Sequence, residues 1–273
     1  MRKRKGAMKV WMIQHAAGPD VAANLAALDG LMAGIGAADL IVLPEVFAAR
    51  GGDADLRRAA EPLDGLQAGW LQATARRHGA WVLGGSLLEK DGLRIHNTAV
   101  LVDRAGRMAA SYRKMHLFEA RLENGKLVRE QDVYEPGEHP VMADIDGWSC
   151  GLSICYDVRF PELYRLYSRR GATLLLIPAN FTQNTGKFHW ETLVKARAIE
   201  NQCFVVAPNQ CGTNAVTGVA SYGHSLIVGP WGEVLAEGGT EAGLFHATLD
   251  KAQLKAVRDR VPALKHRRLL PES

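Results

Sequence analysis

Short apolar runs and longer stretches of helical periodicity alternate along this chain. Residues 8–14 (MKVWMIQ) read as a strand. Pro19-Asp20 then offer a helix start, and Val21, Leu25, Leu28, Met32 and Ile35 recur at the three- and four-residue spacing of one helix face. LIVLPE, after Asp39, is a continuous apolar run of the kind a strand covered on both faces requires. The pattern next predicts a helix over 66–78 stopped by Gly79, a strand in AWVLGGSL, and a hairpin of 98–102 with 108–112 across the turn Asp103-Arg104-Ala105-Gly106. The second half repeats this grammar. SCGLSIC and TLLLIP read as buried strands around a helix at 160–170 closed by Gly171, and a helix over 188–201 leads into the strand CFVVAP. SLIVG, VLAEGG and GLFHATLD are expected to finish the sheet. Strand–helix units mixed with hairpins imply two sheets with helices outside, an α/β sandwich. No sequence repeat, low-complexity segment or composition break divides it, so a single domain over 9–273 behind a flexible tail at 1–8 is expected.

Composition narrows the function classes. The 33 basic and 29 acidic residues leave a formal charge of only +4, much of it in the opening Met1-Arg2-Lys3-Arg4-Lys5. That run reads as a tail, or as residues ahead of an alternative start at Met8, and no nucleic-acid role is expected. No apolar run approaches the roughly 18 residues of a membrane span. The basic start also lacks the apolar segment and cleavage site of a secretory signal. With Cys150, Cys155, Cys203 and Cys211 scattered singly, a reduced, cytoplasmic protein is expected. None of the nine histidines has H-x-x-x-H spacing and no paired CxxC occurs, so no metal is expected. Gly84-Gly85 is a glycine pair within a strand and not a phosphate loop.

Three positions carry candidate chemistry. Glu45 follows LIVLP at the carboxyl end of a buried strand, where ligand crevices open in α/β sheets. It is either a partly desolvated general base or a loop glutamate. Lys114, among Met115, Leu117 and Phe118, either holds an oxyanion beside a carboxylate or lays its stem along the surface. Cys155 ends GLSIC just before YDVRFPELY opens a helix. A thiol at such an elbow meets backbone N–H groups and the positive end of a helix dipole, which favour thiolate; the alternative is a small buried apolar residue.

Together these segments resemble a known family. LPEVF, YRKMHLF and GLSICYDVRFPELYR are similar to the three signatures of the nitrilase superfamily of carbon–nitrogen hydrolases. HWETLVKARAIENQCFVVAPNQCG and SYGHSLIVGPWGEVLAE resemble its branch of deaminated-glutathione amidases and omega-amidases. The resemblance implies a four-layer αββα sandwich that forms a homodimer, and a Glu45–Lys114–Cys155 triad without metal or organic cofactor. It adds a second glutamate, placed at Glu130 ahead of Pro136-Gly137, with Glu119, Glu123 and Glu135 nearby. It further implies cleavage of a small-molecule amide through a Cys155 thioester, with the Tyr156 N–H on the oxyanion. Arg159 is open to two roles: meeting a substrate carboxylate, or bridging to Asp157 or Glu162. Asn180 and Phe181 are expected at the pocket rim, with His189, Tyr222 and His224 as further neighbours. N-carbamoyl amino acid or polyamine amidohydrolases and nitrilases share the triad. A metal-dependent hydrolase and a non-catalytic binding protein are the alternatives from other classes.

Overall fold

The computed structural model describes residues 6–121 and 127–269. In the first half the elements are β1 (Ala7–Gln14), α1 (Val21–Met32), β2 (Leu40–Val42), α2 (Asp53–Ala59), α3 (Leu66–His78), β3 (Trp81–Asp91), β4 (Arg94–Val102) and β5 (Met108–Arg113). A small hairpin of β6 (Glu119–Arg121) and β7 (Leu127–Arg129) leads to β8 (Met142–Ile145) and β9 (Trp148–Leu152). Then come α4 (Pro161–Arg169), β10 (Leu174–Leu176), α5 (Gln183–Asn201), β11 (Phe204–Ala207), β12 (Leu226–Val228), β13 (Val234–Glu237), β14 (Gly243–Asp250) and α6 (Lys251–Arg260).

Two six-stranded sheets result, in the orders β14-β1-β2-β3-β4-β5 and β13-β12-β11-β10-β9-β8. Each has three neighbouring parallel strands, β1-β2-β3 or β9-β10-β11, flanked by antiparallel ones. Five strands of each sheet, β1–β5 and β9–β13, therefore share one connectivity although no sequence repeat is visible, and only the sixth strands, β14 and β8, are reached differently. Period-two alternation explains the layers. Val10, Met12, Leu40, Val42, Ala99 and Leu101 join the core shared with the second sheet. Their neighbours Trp11, Ile13, Ile41, Val100 and Val102 pack under Leu25, Leu28 and Met32 of α1 and Leu71 and Ala75 of α3. Trp190, Val194 and Ala198 of α5, with Tyr164 and Tyr167 of α4, cover the other sheet. This is the αββα sandwich, and continuous apolar runs arise because each central strand is covered on both faces.

Local signals act as expected at several ends. The Asp20 side chain caps α1 by accepting from the Ala23 N–H at 2.9 Å, and Gly79 closes α3 at φ 58°. Four expectations are corrected. The first strand starts at Ala7, inside the segment read as tail, because Met8 is buried and pairs with Leu249; residues 1–5 lie outside the described residues. LIVLPE supplies a strand of only three residues, since the chain turns at Pro44. The fifth helix begins five residues early, at Gln183. GLFHATLD does not finish the second sheet but crosses to pair antiparallel with β1, tying the sandwich together.

Leu28 lies fully buried where α1 meets the first sheet. Leu28→Ala is expected to cost about 2–5 kcal/mol in chemical denaturation, with KM for any substrate unchanged. A loss under about 1 kcal/mol would contradict the packing of this layer.

Candidate active site

The loops at the carboxyl ends of the parallel strands converge between the two sheets. Glu45 follows β2, Cys155 follows β9, and Asn180-Phe181 follow β10. Lys114 comes from the antiparallel strand β5, two residues beyond buried Tyr112, so its side chain continues on the face turned to the second sheet. Its ammonium is fully buried and donates to Glu45 Oε1 at 2.9 Å and to Glu130 at 2.8 Å. Asn97 Nδ2 donates to the same Glu45 oxygen at 2.8 Å, and the Phe118 N–H donates to Glu130 Oε2 at 2.7 Å. Of the other glutamates considered for the second acidic position, Glu119 takes a hydrogen bond from Gln131 and Glu123 lies outside the described residues.

Electrostatics follow from this burial. Desolvation works against the Lys114 cation, but Glu130, Glu45 and Cys155 together outweigh it and hold its pKa well above the ordinary lysine value. Burial raises the Glu130 carboxyl, and the nearby Glu45 adds to the rise against the pull of Lys114. Cys155 is 8% exposed, and its thiol is pushed well up, first by burial and then by Glu45, with Lys114 and the Asn180 N–H only partly offsetting this. The expected thiolate-favouring elbow is thus corrected. The Cys155 N–H is occupied by Pro178 O at 2.8 Å, and a short 3-10 turn over Cys155–Arg159 separates the thiol from the start of α4 at Pro161. The environment of Cys155 therefore favours the neutral thiol over the thiolate.

Cys155 itself sits at φ 47°, in the left-handed region, three residues beyond the end of β9. Asp157, two residues on, was seen in sequence only as a pairing option for Arg159. It is completely buried and accepts from the Ile154 N–H at 2.8 Å, Tyr112 Oη–H at 2.7 Å, and the His116 N–H at 3.1 Å; His116 Nδ1 lies 2.7 Å away. One carboxylate therefore joins the cysteine elbow of one sheet to the lysine strand of the other. Asn97 was also missed, because a strand asparagine carries no local signature of its partner.

A cavity of about 460 Å³ opens over these groups, within the usual range for small-molecule sites. Glu45, Glu130, Cys155, Tyr156, Arg159, Asn180 and Phe181 all line it, and Lys114 lies beneath. Arg159 makes no ion pair with Asp157 or Glu162. Its guanidinium lies 5.7 Å from the Tyr156 ring centroid and 5.2 Å from that of Phe181, with His189 Nδ1 3.2 Å from Nη1. Tyr222 and His224 stack on each other away from the cavity lining. The Tyr156 N–H has no acceptor among the described residues. Among those residues no cluster of three or more His, Cys, Asp or Glu is arranged to hold a metal ion, and no helix is long and apolar enough to cross a membrane.

The carbon–nitrogen hydrolase profile matches residues 9–259. The chain belongs to the carbon–nitrogen hydrolase family. It is 40% identical over 235 residues to a deaminated glutathione amidase of Synechocystis, covering 84% of this chain and 86% of that one. It is 39% identical over 226 residues to a 2-oxoglutaramate amidase of Bacillus subtilis, covering 82% and 83%. The C. elegans NitFhit crystal structure superposes with a TM-score of 0.90 at 35% identity over 96% of this chain; this chain spans 65% of that longer one. The protein is an amide-cleaving carbon–nitrogen hydrolase of the nitrilase superfamily.

Removing the cation should expose what it balances. In Lys114→Met, Glu45 and Glu130 are buried without their partner, and the Glu130 carboxyl, already raised by burial, stays above its unfolded value of about 4.3. Stability should then be retained at acid pH and lost as pH rises toward neutrality. Denaturant unfolding is expected to show a deficit of about 3–5 kcal/mol at pH 8 that shrinks near pH 5. A pH-independent deficit would contradict the assigned charges.

Proposed function

We propose that this protein is a cofactor-independent thiol amidohydrolase using Cys155 as nucleophile, Glu45 as general base and acid, and Lys114 as oxyanion donor. The observation that carries the reading is the buried Lys114 ammonium bonded to Glu45 and Glu130 beneath the cavity that Cys155 lines. Glu45 takes the thiol proton as sulfur attacks the amide carbon. Lys114 and the free Tyr156 N–H stabilise the tetrahedral oxyanion, each such donor contributing about 3–4 kcal/mol. Glu45 returns the proton to the departing nitrogen, and ammonia or an amine leaves a Cys155 thioester. Glu45, assisted by Glu130, then deprotonates water, which attacks the thioester and frees the acid and the thiol. One difficult displacement becomes two easier ones. The raised thiol fits this order: a neutral sulfhydryl needs a base at the moment of attack.

The substrate is a small amide bearing a carboxylate, such as deaminated glutathione or the omega-amide of a 2-oxo acid. Arg159, without a carboxylate partner among the described residues and flanked by the Tyr156 and Phe181 rings, offers a planar guanidinium suited to that carboxylate, and Asn180 completes the rim. The reading includes a cytoplasmic homodimer acting on a small molecule, not on nucleic acid or membrane, and the four reduced, buried thiols agree with that compartment.

Cys155→Ala should lower turnover at least about a thousandfold with an unchanged circular dichroism spectrum, and Glu130→Gln should be milder than Glu45→Gln. Full activity in Cys155→Ala would refute the assignment. Arg159→Met should raise KM for a carboxylate-bearing amide about 10–100-fold with little effect on a neutral amide. An equal effect on both would remove Arg159 from substrate recognition.

A further inference from the structure

Strand β3 carries an irregularity that the catalytic reading leaves unused. A step of three residues from Gly84 to Leu87 matches a step of only two, Val100 to Thr98, on β4, so one extra residue bulges from the ladder at Gly85-Ser86. Before the bulge, Val82 faces the helices and Leu83 the core between the sheets. A Cβ on Gly84 would meet Leu71 of α3, which places Gly84 on the helix side. Unbroken alternation would send Ser86 to that side too. Instead Leu87 takes it, and Ser86 is fully buried with its hydroxyl turned to the loop after β2. Bulges re-aim side chains in this way.

That loop carries Glu45. It lies directly on the Gly85 backbone, where an added Cβ would fall 1.9 Å from Pro44 O and 2.2 Å from Leu43 O. The next residue after Glu45 is Val46 at φ 49°, a β-branched side chain in the left-handed region. Such a conformation persists only where its surroundings enforce it. Ser86 Oγ accepts the Val46 N–H at 2.9 Å, Ser86 O accepts the Phe47 N–H at 3.3 Å, and Gln210 Nε2 donates to Glu45 O at 2.9 Å from the opposite sheet.

We propose that the Gly85-Ser86 bulge is a positioning device for the general base: Ser86 fixes the left-handed Val46 peptide, and that turn aims the Glu45 carboxylate at Lys114 and Cys155. Ser86 touches no reacting atom, and its role is orientation. This inference rests on Glu45 being the base.

The test compares Glu45→Gln, Ser86→Ala and the double variant Ser86→Ala/Val46→Gly in amide turnover across a pH range. Ser86→Ala is expected to lower kcat about 10–100-fold with KM within about twofold, and to move the acid limb of the kcat profile. Adding Val46→Gly should recover about tenfold, because glycine holds the left-handed turn without the serine acceptor. A purely structural serine predicts the opposite, since trimming buried Val46 would deepen the loss. Wild-type kcat and pH profile in Ser86→Ala, or a double variant no better than the single, overturns the proposal. If Ser86→Ala yields no folded protein, Ser86→Cys carries the comparison: an intermediate kcat supports the device and a wild-type kcat overturns it. Normal turnover by Glu45→Gln would instead defeat the reading of the base itself.

Discussion

The interaction on which the site depends is a fully buried ammonium held between two carboxylates. A lone Lys114 cation at this depth would carry a desolvation cost of several kcal/mol. Glu45 and Glu130 offset it, and in doing so they fix where three segments far apart in sequence must meet. The lysine leaves an antiparallel strand, Glu45 leaves the end of a parallel one, and Glu130 comes from the turn after the small hairpin. Cys155 arrives from the other sheet, so the site exists only when both halves are packed. Asp157 enforces that meeting by taking hydrogen bonds from the cysteine elbow and from Tyr112 and His116 on either side of Lys114.

The same arrangement decides the state of the sulfur. Burial and the proximity of Glu45 oppose thiolate more strongly than Lys114 favours it, so the resting thiol keeps its proton. This suits the nucleophile role proposed for Cys155, which calls for a thiol that is unreactive until a substrate brings its own developing oxyanion beside the ammonium. In the mechanism proposed above, charge moves from sulfur to substrate oxygen while Lys114 stays protonated, its pKa being held well above the ordinary range. The favourable electrostatics are thus weighted toward the tetrahedral state, as catalysis requires.

Much of this was legible in the chain because it is encoded locally. Apolar runs at 8–14, 40–43, 174–177 and 204–207 mark strands covered on both faces, and Glu45, Lys114 and Cys155 each follow a strand with a recognisable flank. What stayed hidden depends on distant partners. Asp157 and Asn97 acquire meaning only through hydrogen bonds spanning 41–52 residues in sequence, as to His116, Tyr112 and Glu45. The crossing of 243–250 to the first sheet is set by pairing with β1, which no local pattern specifies. The state of the thiol was misjudged for a related reason. The nearby helix start promised positive potential, whereas burial and a carboxylate from another strand decide the outcome.

The central claim is a covalent acyl transfer through Cys155. Intact-mass and peptide mass spectrometry of the enzyme quenched during turnover of a slow carboxylate-bearing amide tests it most directly. The account predicts an acyl adduct confined to the Cys155 peptide, labile to hydroxylamine and absent in Cys155→Ala. An adduct on Cys203 or Cys211, or turnover with no adduct when deacylation is made rate-limiting, would contradict it.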